Sequence, residues 1–450
     1  MKNNIYDIAI VGSGLSALTA LKLLISKKTN KKMSICIITS NQDHIKVLAN
    51  NQYKYFKNTH LKVADCLAFN KVDKDVLRAS KESNLSLLST FNLGGLGAFW
   101  GGGFFENLEE KNKIKKNNLR IIKKLFKVYE LNLKKNKLNS YLIYILTRFR
   151  QTKCSFLIDK HHDNNIEILN PAIEILNICK KNKVSIFKNN LVKKLSYNKN
   201  LGCIDIISDN KIIFCQHILI GCGVFNSPKL LVNSKLIKNR KFTFFDHQLY
   251  RIPLINFKFL FEYFLKSNYD SDANNKKFTS LREAFFRENK KFSIFLGIYR
   301  PSFNLKIFNK LIKFFLDSNL IVFSQVFIND KKNNYKISGN LINSSYVFNK
   351  KNFSKLGIIK KIIIFIFFIM NGYIPIPFKY KQRFGSSYHV YGSLKDFSII
   401  NLPRIKKNES FVQVIDSSTL NKIGAGPSSP LIINNSLTRT EELLKKINLK

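Results

Sequence analysis

The stretch that most constrains this chain is Ile5 to Ala20, IYDIAIVGSGLSALTA. Ile8, Ala9, Ile10 and Val11 form a short apolar run of the kind a fully buried parallel strand shows. The run ends in Gly12-Ser13-Gly14, and the spacing predicts an unbroken helix from Leu15 to Ser26. Gly12 lets the chain turn tightly out of the strand, Gly14 lets backbone approach a pyrophosphate, and Ala17 lets the helix pack on the strand. The helix N-terminus adds N–H groups and the positive end of the helix dipole. A bare G-x-G-x-x-[GA] carries little. After a buried strand and at the start of a helix, it points to a bound dinucleotide held by Gly12, Ser13, Gly14 and Ala17.

Two other readings compete. A signal peptide would use Lys2 as its basic start and SALTA as its cleavage site, but Asp7 and two glycines interrupt the apolar run and Lys22 follows closely. The second is a purely structural strand-turn-helix. The next strand, Met33 to Thr39, is where a ribose-binding acid belongs, and Ser40-Asn41 stand there instead. Ser40 is therefore the candidate ribose contact, through a hydrogen bond weaker than a carboxylate's. This departure weighs against NAD more than against nucleotide binding as such.

At 450 residues the chain can bury a large core and divide into two lobes. Lys+Arg number 75 against Asp+Glu 29, a formal net charge of +46, although the charged share, 23%, is ordinary. Part of the lysine excess accompanies many Asn, Ile and Phe and reads as coding bias toward AT-rich codons. A preference for polyanions or for an anionic membrane surface stays open, with no specific nucleic-acid partner. The cysteines are scattered singly with no C-x-x-C pair, which reads as reduced thiols in a cytoplasmic protein with no metal site.

Farther along, FNLGGLGAFWGGGFFEN (Phe91 to Asn107) surrounds the only tryptophan, Trp100, with glycines. Such density lets backbone run flush against a flat ligand, and the flanking phenylalanines argue against a flexible loop. Residues 108–150 look helical and basic, with Ile114, Ile121, Ile122, Leu125, Phe126 and Tyr129 at roughly helical spacing. His161-His162-Asp163 reads as a surface loop. From Lys183 the pattern is a β-meander and then HILIGCGVFNSPKLLVNS, a buried strand, a tight Gly221-Cys222-Gly223 turn, and a helix whose N-cap is Ser227 with Pro228 behind it. Residues 240–380 are aromatic-rich with mixed strands. Ile362 to Met370 (IIIFIFFIM) is the most apolar run, too short to span a bilayer, which needs roughly 20 residues. It reads as buried core, with a monotopic membrane contact beside Lys360-Lys361 as the alternative. Near the C-terminus come SSYHVYGSL (Ser386 to Leu394), a strand from Phe411 to Ile415 with Asp416-Ser417-Ser418 turned onto a ligand, and a closing helix.

Taken in this order, the blocks VGSGLSALTA, GGLGAFWGGG, ILIGCGVFNSPKLLVNS, SSYHVYGSL and VIDSSTLNKIGAGPSSPLIINNSLTR resemble the glucose–methanol–choline (GMC) flavoprotein oxidoreductases, and most of all a bacterial subgroup associated with polysaccharide biosynthesis. Asp246-His247 is similar to the family's D-H-P element, with Gln248 in place of proline. The resemblance implies an α/β fold, a discontinuous Rossmann-like FAD-binding domain with a second α+β substrate domain. Its boundaries fall at 1–105, 181–236 and 381–450 for the FAD-binding parts, 106–180 for a helical basic insertion and 237–380 for the substrate domain. It implies FAD over Gly12 and Gly14, with Gly95, Trp100, Gly101, Gly223, Asp416 and Ser417 as further cofactor contacts. The cofactor is expected to be non-covalent, because Phe99 stands where some relatives carry a flavin-linked histidine.

In the family, the histidine at His389 takes the substrate hydroxyl proton while hydride passes to the flavin, and an ordinary imidazole pKa near 6.5 suits that task at neutral pH. The family's second catalytic position, a His or Asn before proline, falls at Ser429 here. The implied activity is FAD-dependent oxidation of a CH–OH group in an alcohol or glycan, in a cytoplasmic protein that touches the inner face of the membrane at most peripherally. The alternative is a catalytically weak flavin-fold protein acting as a membrane- or polyanion-binding component.

Overall fold

The structure, a computed structural model, describes residues 4–27, 33–40, 93–99, 102–106, 114–131, 141, 144–152, 154–162, 165–238, 241–257, 281–288, 292–299, 320–330, 334–338, 358–376, 380–381, 389–395, 397, 399–402 and 409–448. The opening motif folds as its sequence predicts: strand β1 (Ile5–Val11), helix α1 (Leu15–Lys27) and strand β2 (Ile35–Ile38). β1 pairs in parallel with β2 on one side and with Ile212–Ile220 on the other. Ser185–Phe187 continues the parallel sheet beyond β2, and Ser410–Val414 continues it beyond Ile212–Ile220. Across the sheet these five strands come third, second, first, fourth and fifth in chain order. This is the doubly wound order, and its winding reverses between β1 and Ile212–Ile220.

Alternate residues of β1 serve two cores, as a period of two requires. Ile8 and Ile10 face α1 and the C-terminal helix Ser429–Asn448, whereas Ala9 and Val11 pack with Ile204, Ile206 and Leu231. Burial on both faces explains why the strand reads as a continuous apolar run. The expected meander is present: Val192–Asn198, Cys203–Ser208 and the first half of Ile212–Ile220 are antiparallel.

Several expectations are corrected. The segment 106–180 is not helical throughout. Helix Lys116–Leu125 gives way at Phe126 to extended backbone (φ −130, ψ 141), and Lys127–Leu131, Cys154–His162 and Asn165–Ile168 form an antiparallel sheet. The apolar spacing of 114–129 does continue past Phe126, but Val128 and Tyr129 pair with Leu157 and Phe156, and strand pairing overrides the local helical pattern. His161 and His162 pair with Ile166 and Asn165 in a hairpin, so they are not in a loop. Helix Pro171–Asn182, capped by the Asn170 side chain on the Ala172 N–H, sets Ile175 and Cys179 into the α1 core and so packs with the parallel-sheet unit. Ser227 is not an N-cap: helix Asn226–Asn233 begins before it, and its hydroxyl goes to Asp416 instead.

The second unit is an antiparallel sheet whose central strands are Gln248–Asn256, Ile321–Asp330, Phe292–Tyr299 and Leu281–Glu288. Its alternation is regular. Phe285, Leu296 and Val326 face helix Ile358–Met370, while Phe286, Phe295 and Phe327 face the 127–168 sheet. The α/β fold with a Rossmann-like parallel sheet and a separate second sheet is thus the observed architecture. No helix among the described residues is long and apolar enough to cross a membrane.

Candidate active site

Two glycine turns meet where the winding reverses. The Gly221 N–H donates to Val11 O at 2.8 Å and the Gly12 N–H to Ile38 O at 2.9 Å, which extends the ladder into both turns. A Cβ on Gly12 would stand 2.3 Å from Gly221 O, and Gly12 has φ +114, so only glycine lets these backbones touch. Gly14 and Gly223 differ. A Cβ on Gly14 meets nothing nearer than 3.9 Å, and one on Gly223 meets nothing within 4 Å. Both open onto a cavity of about 300 Å³ that also takes in Thr39, Ser40, Gly95 and Ser417. The first turn of α1, with no helical acceptors for its N–H groups, faces the same space through Leu15 and Ser16.

Polar side chains hold the cavity wall in shape. Ser13 Oγ shares a hydrogen bond with Thr39 Oγ1 at 3.0 Å and accepts from the Gly94 N–H at 3.2 Å, which ties the first turn to the end of β2 and to the second glycine cluster. In that cluster a Cβ on Gly95 would lie 3.3 Å from Gly14 Cα. Asp416 is buried and accepts from the Gly223 N–H (2.8 Å), the Ser418 N–H (2.9 Å), the Ser418 hydroxyl (2.5 Å) and the Ser227 hydroxyl. Burial pushes its carboxyl up from the ordinary value, and these donors pull it back. Its carboxylate therefore clamps the Gly221–Gly223 turn to the C-terminal segment. Asn435 braces the same corner by donating to Asp416 O at 2.9 Å and Thr419 Oγ1 at 2.9 Å.

Beside this crevice stands a pair of histidines. Val390 lines the cavity, so His389 lies one residue from it. Backbone bonds between Tyr391 and Phe245 (3.0 Å in each direction) bring the His389 segment against the one that carries Asp246-His247. The two Nδ1 atoms are 2.9 Å apart, and His247 Nε2 lies 2.5 Å from Gly424 O. A carbonyl only accepts, so His247 carries its proton on Nε2 and presents a lone pair at Nδ1. His389 must then donate from Nδ1, which leaves its own lone pair on Nε2. Phe327 stacks on His389 with centroids 5.1 Å apart. Burial lowers the His389 imidazole to about 4, below the 6.5 expected from sequence. His247 is held well below its ordinary value by burial and then by His389, with the Gly424 carbonyl acting in the opposite sense.

The structure thus gathers Gly12, Ser13, Gly14, Ser40, Gly95, Gly223, Asp416 and Ser417 around one cavity, with Ala17 fully buried behind it. Trp100 and Gly101 lie outside the described residues. Ser429 opens the C-terminal helix, and His247 is placed against His389. Sequence reasoning gave His247 no role. The signal available was the Asp246-His247 dipeptide, but nothing in the order of residues says that it meets a histidine 142 positions away.

No protein-family model matches the sequence, and no curated protein matches it. Among solved structures, the chain is similar over 99% of its length to 99% of a formate oxidase from Aspergillus oryzae RIB40 studied for FAD modification, with a TM-score of 0.60 and 10% identity. It is similar over 98% of its length to 99% of pyridoxine 4-oxidase from Mesorbium loti, with a TM-score of 0.51 and 9% identity. The described residues, both sheets included, have the fold of these oxidases.

Proposed function

We propose that this chain is a GMC-type, FAD-dependent oxidoreductase that oxidises a hydroxyl-bearing substrate, with His389 as the base. The observation that carries the reading is the crevice at the winding reversal, open at Gly14 and Gly223 and bordered by a histidine whose Nε2 lone pair the hydrogen-bond chain fixes. The residues fit FAD: the open glycines leave room for a pyrophosphate, the α1 N-terminus favours its charge, and Ser40 stands at the end of β2 where a ribose is bound in such folds. The chemistry FAD supplies when bound is two-electron oxidation of the substrate carbon.

The chain's own residues handle the proton. His389 accepts it from the substrate hydroxyl at Nε2, and the imidazolium that forms keeps its Nδ1–H on the His247 lone pair. Burial makes that cation costly, so the His247 acceptor is what makes the transfer feasible. Phe327 fixes the ring plane by stacking. Ser429 takes the family's second catalytic position and is proposed as a hydroxyl contact to the substrate.

The finer reading is a sugar hydroxyl in a polysaccharide-linked reaction, since the sequence blocks resemble that subgroup. Both neighbours are oxidases by name, and one was studied for its FAD. The test is anaerobic mixing of the purified protein with simple alcohols and with free and nucleotide-linked sugars. A yellow protein bleached by one class identifies it, and a colourless protein that takes up no added FAD overturns the proposal.

A further inference from the structure

Helix Ile358–Met370 is apolar on both sides. Ile364, Phe367 and Phe368 are buried against the second sheet, where Phe367 packs on Phe149 (4.6 Å) and Phe285 (4.8 Å). The opposite side leaves Ile359, Ile362, Phe365, Ile366 and Ile369 exposed, Ile359 at 74% and Phe365 at 53%. The Phe149 contact brings a second exposed group alongside, Tyr144, Ile145 and Leu146. Of the fourteen large apolar side chains exposed among the described residues, eight fall in these two groups. Soluble monomers seldom expose contiguous apolar patches beyond a few hundred Å², and isolated exposed residues need no explanation, but a strip along a whole helix does.

We propose that this strip is a docking surface for an anionic lipid bilayer, on which the helix lies parallel to the surface. The exposed residues run the full length of the helix, as an interfacial element requires and as a spanning one does not. Charge selects the occupant. Lys361 and Arg148, whose guanidinium lies over the Tyr144 ring, are exposed beside the strip and Lys360 is partly so, in a chain of net charge +46. A second copy docking here would set the same cations against each other across a two-fold axis. A surface of anionic headgroups would neutralise them while the isoleucines and phenylalanines enter the acyl boundary.

The test is sedimentation of the full chain with vesicles of phosphatidylcholine alone and of phosphatidylcholine with phosphatidylglycerol. The wild type should pellet with the anionic vesicles and be released by salt. Ile362→Glu with Ile366→Glu should weaken binding at least tenfold at an unchanged melting temperature. Lys360→Glu with Lys361→Glu, which leaves the apolar strip intact, should weaken it by about fivefold per lysine or more. The proposal is overturned if the wild type stays in solution with anionic vesicles at low ionic strength. Equal binding to both vesicle types, or sedimentation as a dimer that the Ile362→Glu pair dissociates, overturns it too.

Discussion

The crevice and the histidine pair beside it are built from opposite materials. The crevice is backbone: glycines at 12, 14, 221 and 223 let main chain meet main chain or stand open toward a ligand, and side chains such as Ser13 and Asp416 only brace it. The pair is side chain: two imidazoles from distant segments share one hydrogen-bond chain that ends on Gly424 O. The first can shape a binding surface but cannot move a proton. The second can move a proton but holds nothing in place. Binding and chemistry are therefore separable here, and substitutions in the two regions should fail in different ways.

The largest effect is expected at Gly12. Gly12→Ala drives a Cβ into Gly221 O at a φ that L-residues rarely adopt, so the joint between β1 and Ile212–Ile220 must open. We expect a loss of about 3 kcal/mol or more in chemical denaturation of the cofactor-free protein. Gly14→Val should leave that stability within about 1 kcal/mol, because its Cβ meets nothing nearer than Gly94 O at 3.9 Å, yet the variant should purify without FAD. A Gly14→Val protein with stoichiometric FAD would show that the crevice has been assigned to the wrong ligand.

Changes in the pair should leave FAD in place and strike the rate. His389→Ala should slow flavin reduction by substrate about 10²–10⁴-fold, the usual worth of a positioned base. The wild-type rate should rise with pH through about 4 and be flat at neutrality, because the neutral imidazole is the competent form. His247→Ala should cost up to about 10²-fold by releasing the orientation of His389. Combined with His389→Ala it should add almost nothing, since the two act as a unit. Full additivity in stopped-flow reduction would mean that His247 works independently of His389.

What the sequence made legible follows the same division. The Gly12–Gly14 turn was readable because strand, turn and helix lie within sixteen residues and each glycine serves a local backbone need. The Gly221–Gly223 turn was readable for the same reason. Asp416 was recognised as a site residue, but not as the clamp on the second turn, because its donors Gly223 and Ser227 are about 190 positions away. The helix expected over 108–150 failed where Val128 and Tyr129 found strand partners at Leu157 and Phe156, which local spacing cannot reveal. Ile362–Met370 was apolar enough for a core and basic enough at its start for a membrane. Only the packing shows that one side is buried and the other is not.

A partly cancelling effect is expected on stability against pH, where the two regions should pull in opposite directions. His389 has a folded value of about 4 against the ordinary 6.5, so between those limits the unfolded chain binds the extra proton. Its contribution is complete above about 6.5 and is lost as pH falls toward 4, at up to about 1.4 kcal/mol per pH unit and about 3 kcal/mol in all. His247, also lowered, has the same sign and extends the loss to lower pH. Asp416 is raised above its ordinary 3.8, so its contribution is complete below that value and declines as pH rises through the folded one. Acid thus loosens the histidine pair while it relieves the burial of the Asp416 charge in the crevice. With two histidines against one carboxyl, the net result should be a protein that weakens as pH falls from 6.5 to 4. Denaturation midpoints across that range should flatten in His389→Gln, which has no imidazole to charge, and steepen in Asp416→Asn, which removes the opposing group. A His389→Gln profile as steep as wild type would mean that His389 titrates alike in both states, and the buried, proton-poor environment assigned to the base would have to be withdrawn.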